Sequence, residues 1–424
     1  MKKKIIYNIV SLLIMGMLTG CADTGEQKPT STENTAENAA ETAIVEVIEE
    51  TTEDAEDVWQ VQIDDPKTDS EDALSIDLYG DYKEKGGEIA FVSHGTVMDG
   101  SYNEAIYKGI QKYALAAGTS FSYYVMEEDT QKGCQEVIED AISNQAKIIV
   151  CAGCDFQETV GVMQEEYPEV AFLMIDGVPV GADGNPKPME KNVHCVSFHE
   201  EESGYLAGYM TILEGYHKLG FIGGEETPSV KRYGYGYLQG INDAVQETGA
   251  EDVTVNYWYA GSFVPDSKIR DKAVQWYADG TEVIFSCGGF LYESVLEAAE
   301  QEDGLLIGVD SDQSGLSDHF LTSAVKDVSH AVVISLDNYY AARMQWSDAF
   351  AGQEKWYGIE SGCTGIPRWN TEWRFKNVTV ETCNEVCRRI RSGEIMISDE
   401  TDVQPQVSFT VIMEQSGEET CIGE

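Results

Sequence analysis

Short apolar runs alternate along the chain with longer stretches in which apolar residues recur every three or four positions. The first pattern predicts buried strands and the second amphipathic helices. The predicted strands are 89–92, 122–125, 147–151, 171–175, 193–196, 218–222, 253–259, 283–286 and 305–309, with helical stretches including 109–114, 134–143, 236–248 and 294–301. Such alternation is typical of parallel sheets with helices on both faces. Because it occurs in two successive series, we predict an α/β fold of two doubly wound lobes joined by crossing hinge segments.

The first residues have the pattern of an export signal. Three lysines, at positions 2–4, precede the mostly apolar run 5–18, which is too short to remain as a membrane-spanning helix. The run ends in Leu18-Thr19-Gly20-Cys21, which resembles a lipobox. We therefore expect residues 1–20 to be removed and Cys21 to carry a lipid that anchors the protein to the cell membrane. An ordinary signal peptide with an incidental Cys21 is the alternative.

Acidic residues dominate the next segment, residues 21–86. Between positions 22 and 86 there are 20 acidic and 4 basic side chains, mixed with Thr, Ala and Ser. Such a composition buries too little apolar surface to offset the entropy cost of ordering, so we predict a disordered tether. Apolar residues within 58–82 could pack on the domain that follows.

Charge and cysteine content exclude several classes of protein. The formal net charge of −47 would repel the phosphates of nucleic acid, so we expect no nucleic-acid partner. Ten cysteines in 424 residues are too few for a small disulfide scaffold.

Ligands of doubly wound sheets bind beyond the carboxyl ends of the strands, so the residues after each apolar run are candidates for a site. They are His94, Asp99, Asn103, Tyr107, Gly153, Asp155, Asp176, Gly223, Gly224, Ser262, Phe263, Gly288 and Asp310. Carboxylates accept hydrogen bonds from hydroxyls, aromatic rings stack, and glycines allow close backbone approach. This set suits a neutral ligand with a flat ring and several hydroxyl groups.

Several motifs follow one another in an order that resembles a known family. They are Asp99-Gly100-Ser101-Tyr102-Asn103 with Tyr107, Tyr205-Leu206-Ala207-Gly208, Gly220-Phe221-Ile222-Gly223-Gly224, residues 234–240, Gly308-Val309-Asp310-Ser311-Asp312-Gln313, Thr322-Ser323-Ala324-Val325-Lys326 and the late segment 387–395. Over about 88–399 the chain resembles the basic membrane protein family of substrate-binding lipoproteins, which includes purine-nucleoside receptors of ABC transporters.

The resemblance implies a fold similar to type 1 periplasmic binding proteins. Lobe 1 would comprise about 87–198 plus 325–357, and lobe 2 about 199–324 plus 358–424. The implied function is capture of a nucleoside between the lobes and its delivery to an ABC permease. The protein would act outside the cytoplasm as a monomer, with no enzymatic activity, cofactor or metal.

Site roles in the first lobe follow from the resemblance. Asp99 and Asn103 match the pair that binds the base, Tyr107 matches a ring that stacks on it, and Gly153 lies in the cleft. Asp99 could instead form a turn with Gly100, and Tyr107 could pack within the lobe.

In the second lobe, Phe263 matches the second stacking ring and Gly288 lies in the cleft. Asp310 and Lys326 match the pair that holds the ribose hydroxyls, since a nearby ammonium keeps a carboxylate ionised. Phe263 could be an ordinary loop aromatic, and the ion pair could be purely structural. Met98 stands where the family often has a carboxylate, which leaves the preferred base undecided.

Other functions remain as alternatives. The ligand could be a flavin, a sugar or a signalling molecule, or the protein could serve a sensor. Cys151-Ala152-Gly153-Cys154 could be a thiol–disulfide site, and Cys383 with Cys387 could contribute to a zinc site. Asp99 and Asp310 could be the paired carboxylates of a glycoside hydrolase, although nothing in the sequence places them at the separation that catalysis requires. Residues 234–240 approach a dinucleotide-binding loop, but the last glycine falls one residue late. The tryptophan-rich stretch 354–376 could form a partner surface or be buried.

Overall fold

The computed structural model describes residues 81–128, 130–368, 371–415 and 418–422. The predicted signal peptide, Cys21 and the predicted tether as far as residue 80 lie outside the described residues, as does Trp369. Within these ranges, no helix combines the length and the apolar character that crossing a membrane requires.

Strands and helices alternate through most of the described chain. The strands are β1 (Asp81–Tyr82), β2 (Ile89–Ser93), β3 (Ser120–Val125), β4 (Ile148–Ala152), β5 (Ala171–Ile175), β6 (Val193–Phe198), β7 (Lys218–Gly223), β8 (Thr254–Tyr259), β9 (Val283–Cys287), β10 (Leu305–Asp310), β11 (Phe320–Lys326), β12 (Gln353–Tyr357), β13 (Thr364–Gly365), β14 (Thr410–Gln415) and β15 (Glu418–Ile422). The α-helices are α1 (Tyr102–Ala117), α2 (Gln131–Ser143), α3 (Gln157–Glu166), α4 (Glu200–Glu214), α5 (Pro228–Thr248), α6 (Ser267–Ala278), α7 (Tyr292–Glu302), α8 (Val328–Ala341) and α9 (Val380–Arg391).

The strands form two sheets, one in each lobe. The first has the order β1-β3-β2-β4-β5-β6-β12 and the second the order β13-β11-β10-β9-β7-β8-β14-β15. In chain order, the five central strands of each sheet are arranged 2-1-3-4-5, all parallel, which is one of the common doubly wound orders. The prediction of two doubly wound α/β lobes is therefore confirmed.

Both faces of each sheet are covered by helices. In β2, Ile89 and Phe91 belong to the core shared with α1 and α8, whereas Ala90 and Val92 belong to the core shared with α2 and α3. Because both faces are buried, these strands are continuous apolar runs with no polar alternation. The edge strand β1, at the end of the predicted tether, pairs with β3 and places Tyr82 against Tyr123.

Strand ends that correspond in the two lobes have the same unusual backbone. Gly153 after β4 and Gly288 after β9 have φ of 89° and 131°. Asp176 after β5 and Asp310 at the end of β10 have φ of 57° and 63°. Aspartate is among the few residues other than glycine that adopt this left-handed region. Each lobe therefore presents a glycine and an aspartate at equivalent strand ends.

Helices α4 and α5 lie against each other with their backbones in contact. A Cβ atom on any of four glycines would lie 2.0 to 2.4 Å from a backbone oxygen of the other helix; they are Gly204 and Gly208 of α4 and Gly236 and Gly240 of α5. The glycines of residues 234–240, which approach a dinucleotide-binding loop in sequence, are therefore packing positions inside a helix.

Within the described residues, the chain passes between the two lobes three times. The first crossing joins β6 to α4, the second joins β11 to α8, and the third joins β12 to β13. Lys326 is the last residue of β11 and Glu200 the first residue of α4, so both lie at crossings.

His194 makes the stability of lobe 1 depend on pH. Its ring is buried on β6 between Trp346 and Phe350, and Nδ1 lies 2.9 Å from the carbonyl oxygen of Gln353. Burial lowers its pKa from 6.5 to about 4. Between those values the unfolded chain binds the proton and the folded chain does not, so the contribution of His194 to the free energy of unfolding should decrease as pH falls from 6.5 to 4, by up to about 3 kcal/mol.

Urea denaturation at several pH values measures this dependence. His194→Asn should remove this contribution, so that the variant loses less stability than the unmodified protein as the pH falls from 6.5 to 4, whereas His330→Asn, at an exposed position, should leave the pH dependence unchanged. An unchanged slope in His194→Asn would contradict the assignment.

Candidate functional site

The side chain of Lys326 lies where the strand ends of both lobes meet. Its Nζ is 2.6 Å from Asp176 Oδ2, 3.2 Å from Glu200 Oε1 and 3.9 Å from Asp310 Oδ1, and the residue is 2% exposed. Three aromatic rings lie within 4.9 to 5.9 Å of the ammonium, namely Tyr102, Phe198 and Tyr233. Burial alone would lower the pKa of Lys326, but the three carboxylates raise it, so the ammonium is charged.

Glu200 is held from the second lobe. Ser229 Oγ donates to Glu200 Oε1 at 2.7 Å, and Arg232 Nε donates to Oε2 at 2.5 Å. Burial would raise the pKa of Glu200, but Arg232 and Lys326 outweigh burial and lower it to about 2. Glu200 is therefore a fixed negative charge, positioned by α5 through the close contact of α4 and α5.

The electrostatic balance differs at Asp176. Burial raises its pKa to about 6, and the negative charge of Glu200 adds to this rise, which the contact with Lys326 does not outweigh. Its Oδ1 is buried and has no hydrogen-bond partner among the described residues. Asp176 is thus easier to protonate than Glu200.

Asp310 is held by hydrogen bonds from both lobes. Ser101 Oγ, from lobe 1, donates to Asp310 Oδ2 at 2.8 Å, and Tyr233 OH donates to Oδ1 at 3.1 Å. The predicted pair with Lys326 is present at 3.9 Å, but Asp176 and Glu200 lie closer to the ammonium. The Asp310 carboxylate is therefore oriented as an acceptor at the junction of the lobes.

Phe263 lies at the point in lobe 2 where the direction of strand succession reverses. A Cβ on Gly224, after β7, would meet Phe263 Cδ1 at 2.3 Å, and a Cβ on Gly288, after β9, would meet it at 2.6 Å. The two glycines therefore let the ring lie against the backbone between β7 and β9. In doubly wound sheets this crevice is where ligands bind.

The equivalent crevice of lobe 1 contains other side chains. His94 follows β2 and Asp155 follows β4, with Nδ1 and Oδ2 3.5 Å apart. At Gly153 a Cβ would meet nothing within 4 Å, so the backbone there is open to a ligand. The backbone N–H of Gly153 donates to the carbonyl oxygen of Ile175 at 2.9 Å, which fixes the strand end.

Asp99 and Asn103 shape the loop before α1. Asp99 Oδ1 accepts from the backbone N–H groups of Ser101 and Glu104 at 2.9 and 3.0 Å, and Oδ2 accepts from that of Asn103 at 2.9 Å. Asn103 Nδ2 donates to the carbonyl oxygens of His94 and Thr96. The turn-forming role that the sequence left open for Asp99 is present, and it places Ser101 against lobe 2.

Tyr107 lies inside lobe 1. It is 2% exposed, and its ring packs edge-on against Phe121 and Tyr123 at 5.7 and 5.9 Å. Its hydroxyl has no hydrogen-bond partner among the described residues. The structure thus gives Tyr107 the packing role that the sequence left as its alternative, and it does not bring the ring to Lys326 or Asp310.

Sequence reasoning did not assign site roles to Glu200, Arg232, Ser101 and Tyr233. It noted Asp176 as a strand end but did not select it. The equivalence of β5 and β10 was a usable signal, because an aspartate directly follows β5 and another is the last residue of β10. Glu200 stands in a run of three glutamates, which gives no hint of the one that is buried beside a lysine.

The Cys151–Cys154 pair does not have the lowered pKa of a reactive thiol site, whereas the hydrogen bond with Cys383 and the guanidinium of Arg368 lower the pKa of Cys387 to about 7. Burial raises the pKa of the Cys151 thiol well above its usual value and that of Cys154 to about 11, whereas redox-active cysteines have a lowered pKa. The sulfur atoms of Cys383 and Cys387 accept hydrogen bonds from the guanidinium of Arg368. This positive charge stands where a zinc ion bound by the two cysteines would lie. Across residues 81–422, apart from the undescribed positions, no group of three or more side chains is suited to hold a metal ion.

Comparison with known proteins gives consistent relatives. A sequence model of the PnrA-like ABC transporter substrate-binding proteins, the Bmp family, matches residues 87–401. Basic membrane protein A1 of Borrelia garinii subsp. bavariensis is 27% identical over 298 residues, covering 69% of this chain and 83% of that protein. The ABC transporter nucleoside-binding protein BmpA of Lactococcus lactis subsp. cremoris is 26% identical over 259 residues, covering 56% of this chain and 70% of that protein.

Solved structures share the fold. An ABC transporter solute-binding protein from Aeropyrum pernix K1 matches with a TM-score of 0.62 and 21% identity, covering 75% of this chain and 93% of its own. Another from Conexibacter woesei matches with a TM-score of 0.57 and 18% identity, covering 73% and 98%. At these identities the likeness shows the fold alone, whereas the family match spans most of the sequence, including every residue of the Lys326 cluster. The chain belongs to the Bmp family of PnrA-like ABC transporter substrate-binding proteins.

Proposed function

We propose that the protein captures a nucleoside between its two lobes, outside the cytoplasm, and delivers it to an ABC permease. One observation carries this proposal. The Asp310 carboxylate, oriented by Ser101 and Tyr233, lies at the end of β10, and β10 is next to β9, which borders the crevice that contains Phe263. An oriented acceptor suits the hydroxyls of a ribose, and a ring seated on backbone suits a planar base. The name of the Lactococcus relative supports the same ligand class.

The cluster also favours an uncharged ligand. Asp176, Glu200 and Asp310 carry three negative charges against the two positive charges of Lys326 and Arg232, and all five residues are largely buried. A phosphate group bound beside these residues would add negative charge to a cluster that already has an excess of negative charge. We therefore propose nucleosides and not nucleotides as ligands.

Calorimetric titration with adenosine, guanosine and inosine tests the proposal. Asp310→Asn keeps a residue that tolerates the positive φ but removes the charge, and it should weaken binding by about 1.5 to 3 kcal/mol, as for hydrogen bonds to a charged group. Because the acceptor serves ribose hydroxyls, the loss should be smaller for 2′-deoxyadenosine or 3′-deoxyadenosine.

Asp312→Asn is the matched control, because Asp312 is exposed on the adjoining loop and accepts only a local backbone bond from Ser314 among its described contacts. It should bind like the unmodified protein. Binding of ribose or riboflavin with no binding of the three nucleosides would refute the nucleoside proposal.

We further propose that Cys21 carries a lipid anchor. The basis is the lipobox-like Leu18-Thr19-Gly20-Cys21 after an apolar run. In cells that express the full chain, Cys21→Ser should move the protein out of the membrane fraction and abolish incorporation of labelled fatty acid. Cys154→Ser should change neither. Retention of the label in Cys21→Ser would exclude this site.

A further inference from the structure

The three crossings are fastened to one another by the first turn of α4. Ser203 Oγ donates to the carbonyl oxygen of Val325, in β11 just before the second crossing, at 2.7 Å, and accepts from the N–H of Gly365, in β13 just after the third crossing, at 2.7 Å. Glu202 Oε2 accepts from the N–H of Ile359 and the hydroxyl of Thr364, both at 2.6 Å. The crossings are therefore tied to α4 on the side of lobe 2.

Lys326 belongs to the same body. It ends β11, a strand of the second sheet, and its ammonium is bonded to Glu200, which Ser229 and Arg232 hold from α5. Because α4 and α5 contact each other through backbone atoms, Glu200 cannot leave lobe 2 without separating these helices. Lys326 must then move with lobe 2 whenever the lobes move apart.

Asp176 is fixed to lobe 1. It follows β5, and its backbone N–H donates to the carbonyl oxygen of Val196 in β6 at 2.8 Å. The 2.6 Å contact between Asp176 Oδ2 and Lys326 Nζ therefore spans the two lobes, and separation of the lobes must break it.

We propose that the Asp176–Lys326 ion pair is a latch between the lobes, which forms on closure and stabilises the closed arrangement independently of ligand contacts. This deepens the proposed function, on which it rests only for the effect on ligand affinity. Both side chains are at most 10% exposed when paired, so the contact is shielded from solvent and salt. When the lobes separate, Lys326 keeps its ion pair with Glu200, and the carboxylate of Asp176 becomes hydrated.

A latch has a signature that differs from that of a ligand contact. Apparent affinity scales with the fraction of protein in the closed, binding-competent arrangement, so weakening the latch lowers the affinity for every ligand by one common factor. Loss of a ligand contact instead lowers affinity only for ligands that carry the contacted group.

The first experiment measures lobe separation without ligand in the full chain. Spin labels on noncanonical residues at the exposed positions of Lys132 in α2 and Glu300 in α7 report the distance between lobes by double electron–electron resonance. Asp176→Asn should shift the distance distribution toward longer distances. Asparagine tolerates the backbone φ of 57° at position 176, and so does glycine. Asp176→Gly is therefore the second variant if Asp176→Asn folds poorly.

Asp140→Asn is the matched control, because Asp140 forms an exposed ion pair with Lys85 at 2.7 Å, within lobe 1 and outside the cleft. It should leave the distribution unchanged. An unchanged distribution in folded Asp176→Asn or Asp176→Gly overturns the latch, whatever the ligand data show.

The second experiment measures affinity. Asp176→Asn should weaken adenosine, 2′-deoxyadenosine, 3′-deoxyadenosine and 5′-deoxyadenosine by the same factor, about tenfold, if closure is what it impairs. A loss that disappears with one deoxy analogue would make Asp176 a ligand contact and overturn the latch. Failure of all nucleosides to bind refutes the proposed function alone, because the distance measurement needs no ligand.

Discussion

Lys326→Met should lower the free energy of unfolding by about 3 to 5 kcal/mol at pH 7, the range expected when one member of a buried ion pair is removed. Methionine fills similar space but leaves Asp176 and Glu200 without their shared counter-ion. Arg232 still neutralises Glu200, so the uncompensated charge falls mainly on Asp176. Urea denaturation followed by circular dichroism measures the loss.

The pH dependence of this variant identifies the cause. Burial already raises the pKa of Asp176 to about 6 with Lys326 present, and loss of the ammonium raises it further. Lowering the pH from 8 to 5 should therefore protonate Asp176 in the folded variant and narrow its deficit relative to the unmodified protein. Lys85→Met, which removes an exposed ion pair, should cost less than about 1 kcal/mol. A comparably small loss in Lys326→Met would contradict the buried network.

Gly236→Ala should destabilise the fold by about 2 to 4 kcal/mol, because overpacking at this contact cannot be relieved by side-chain movement. The added Cβ would lie 2.1 Å from the backbone oxygen of Glu201 in α4. Alanine gains up to about 1 kcal/mol of helix propensity over glycine, so a net loss would show that the steric contact dominates. Thermal and urea denaturation both measure it.

The same substitution should weaken ligand binding, since α4 and α5 must separate to admit the methyl group and Glu200 would move away from Arg232. Gln246→Ala, on the exposed side of α5, is the control and should change stability by less than about 0.5 kcal/mol. Greater stability in Gly236→Ala than in the unmodified chain would show that the helices are not in backbone contact.

The strands were predictable because burial on both faces demands continuous apolar residues. Residues 171–175 have the same limits as predicted strand and as observed strand, and 283–286 differs by one residue. Helix α4 was not predicted as a helix, because it is buried almost all round and its glycines interrupt the amphipathic pattern. Strands β12, β13 and β15 lie at sheet edges, where apolar patterning is weak, and β14 lies next to the edge strand β15.

The candidate site was predictable only in part. The position of Asp310 follows from the rule that ligands lie beyond strand ends, and that of Lys326 from its motif. Tyr107 has the residue type of a stacking ring, yet its place on α1 turns it into the lobe. Whether an aromatic residue of a helix faces a cleft or the core depends on how the helix is rotated about its axis. The residue types around Tyr107 in the sequence do not reveal that rotation.

The amino-acid sequence by itself determined the two doubly wound lobes, the family, and the strand ends where polar side chains collect, because strand burial and motif order are local properties of the chain. Only the tertiary structure decided that Lys326 is shared by Asp176, Glu200 and Asp310. Those residues come from the two sheets and from α4, the helix that follows the first crossing. Lys326 and Asp176 are 150 positions apart in the sequence. Ion pairing acts over a few ångströms of space, and no local pattern records which distant carboxylates a buried ammonium will meet.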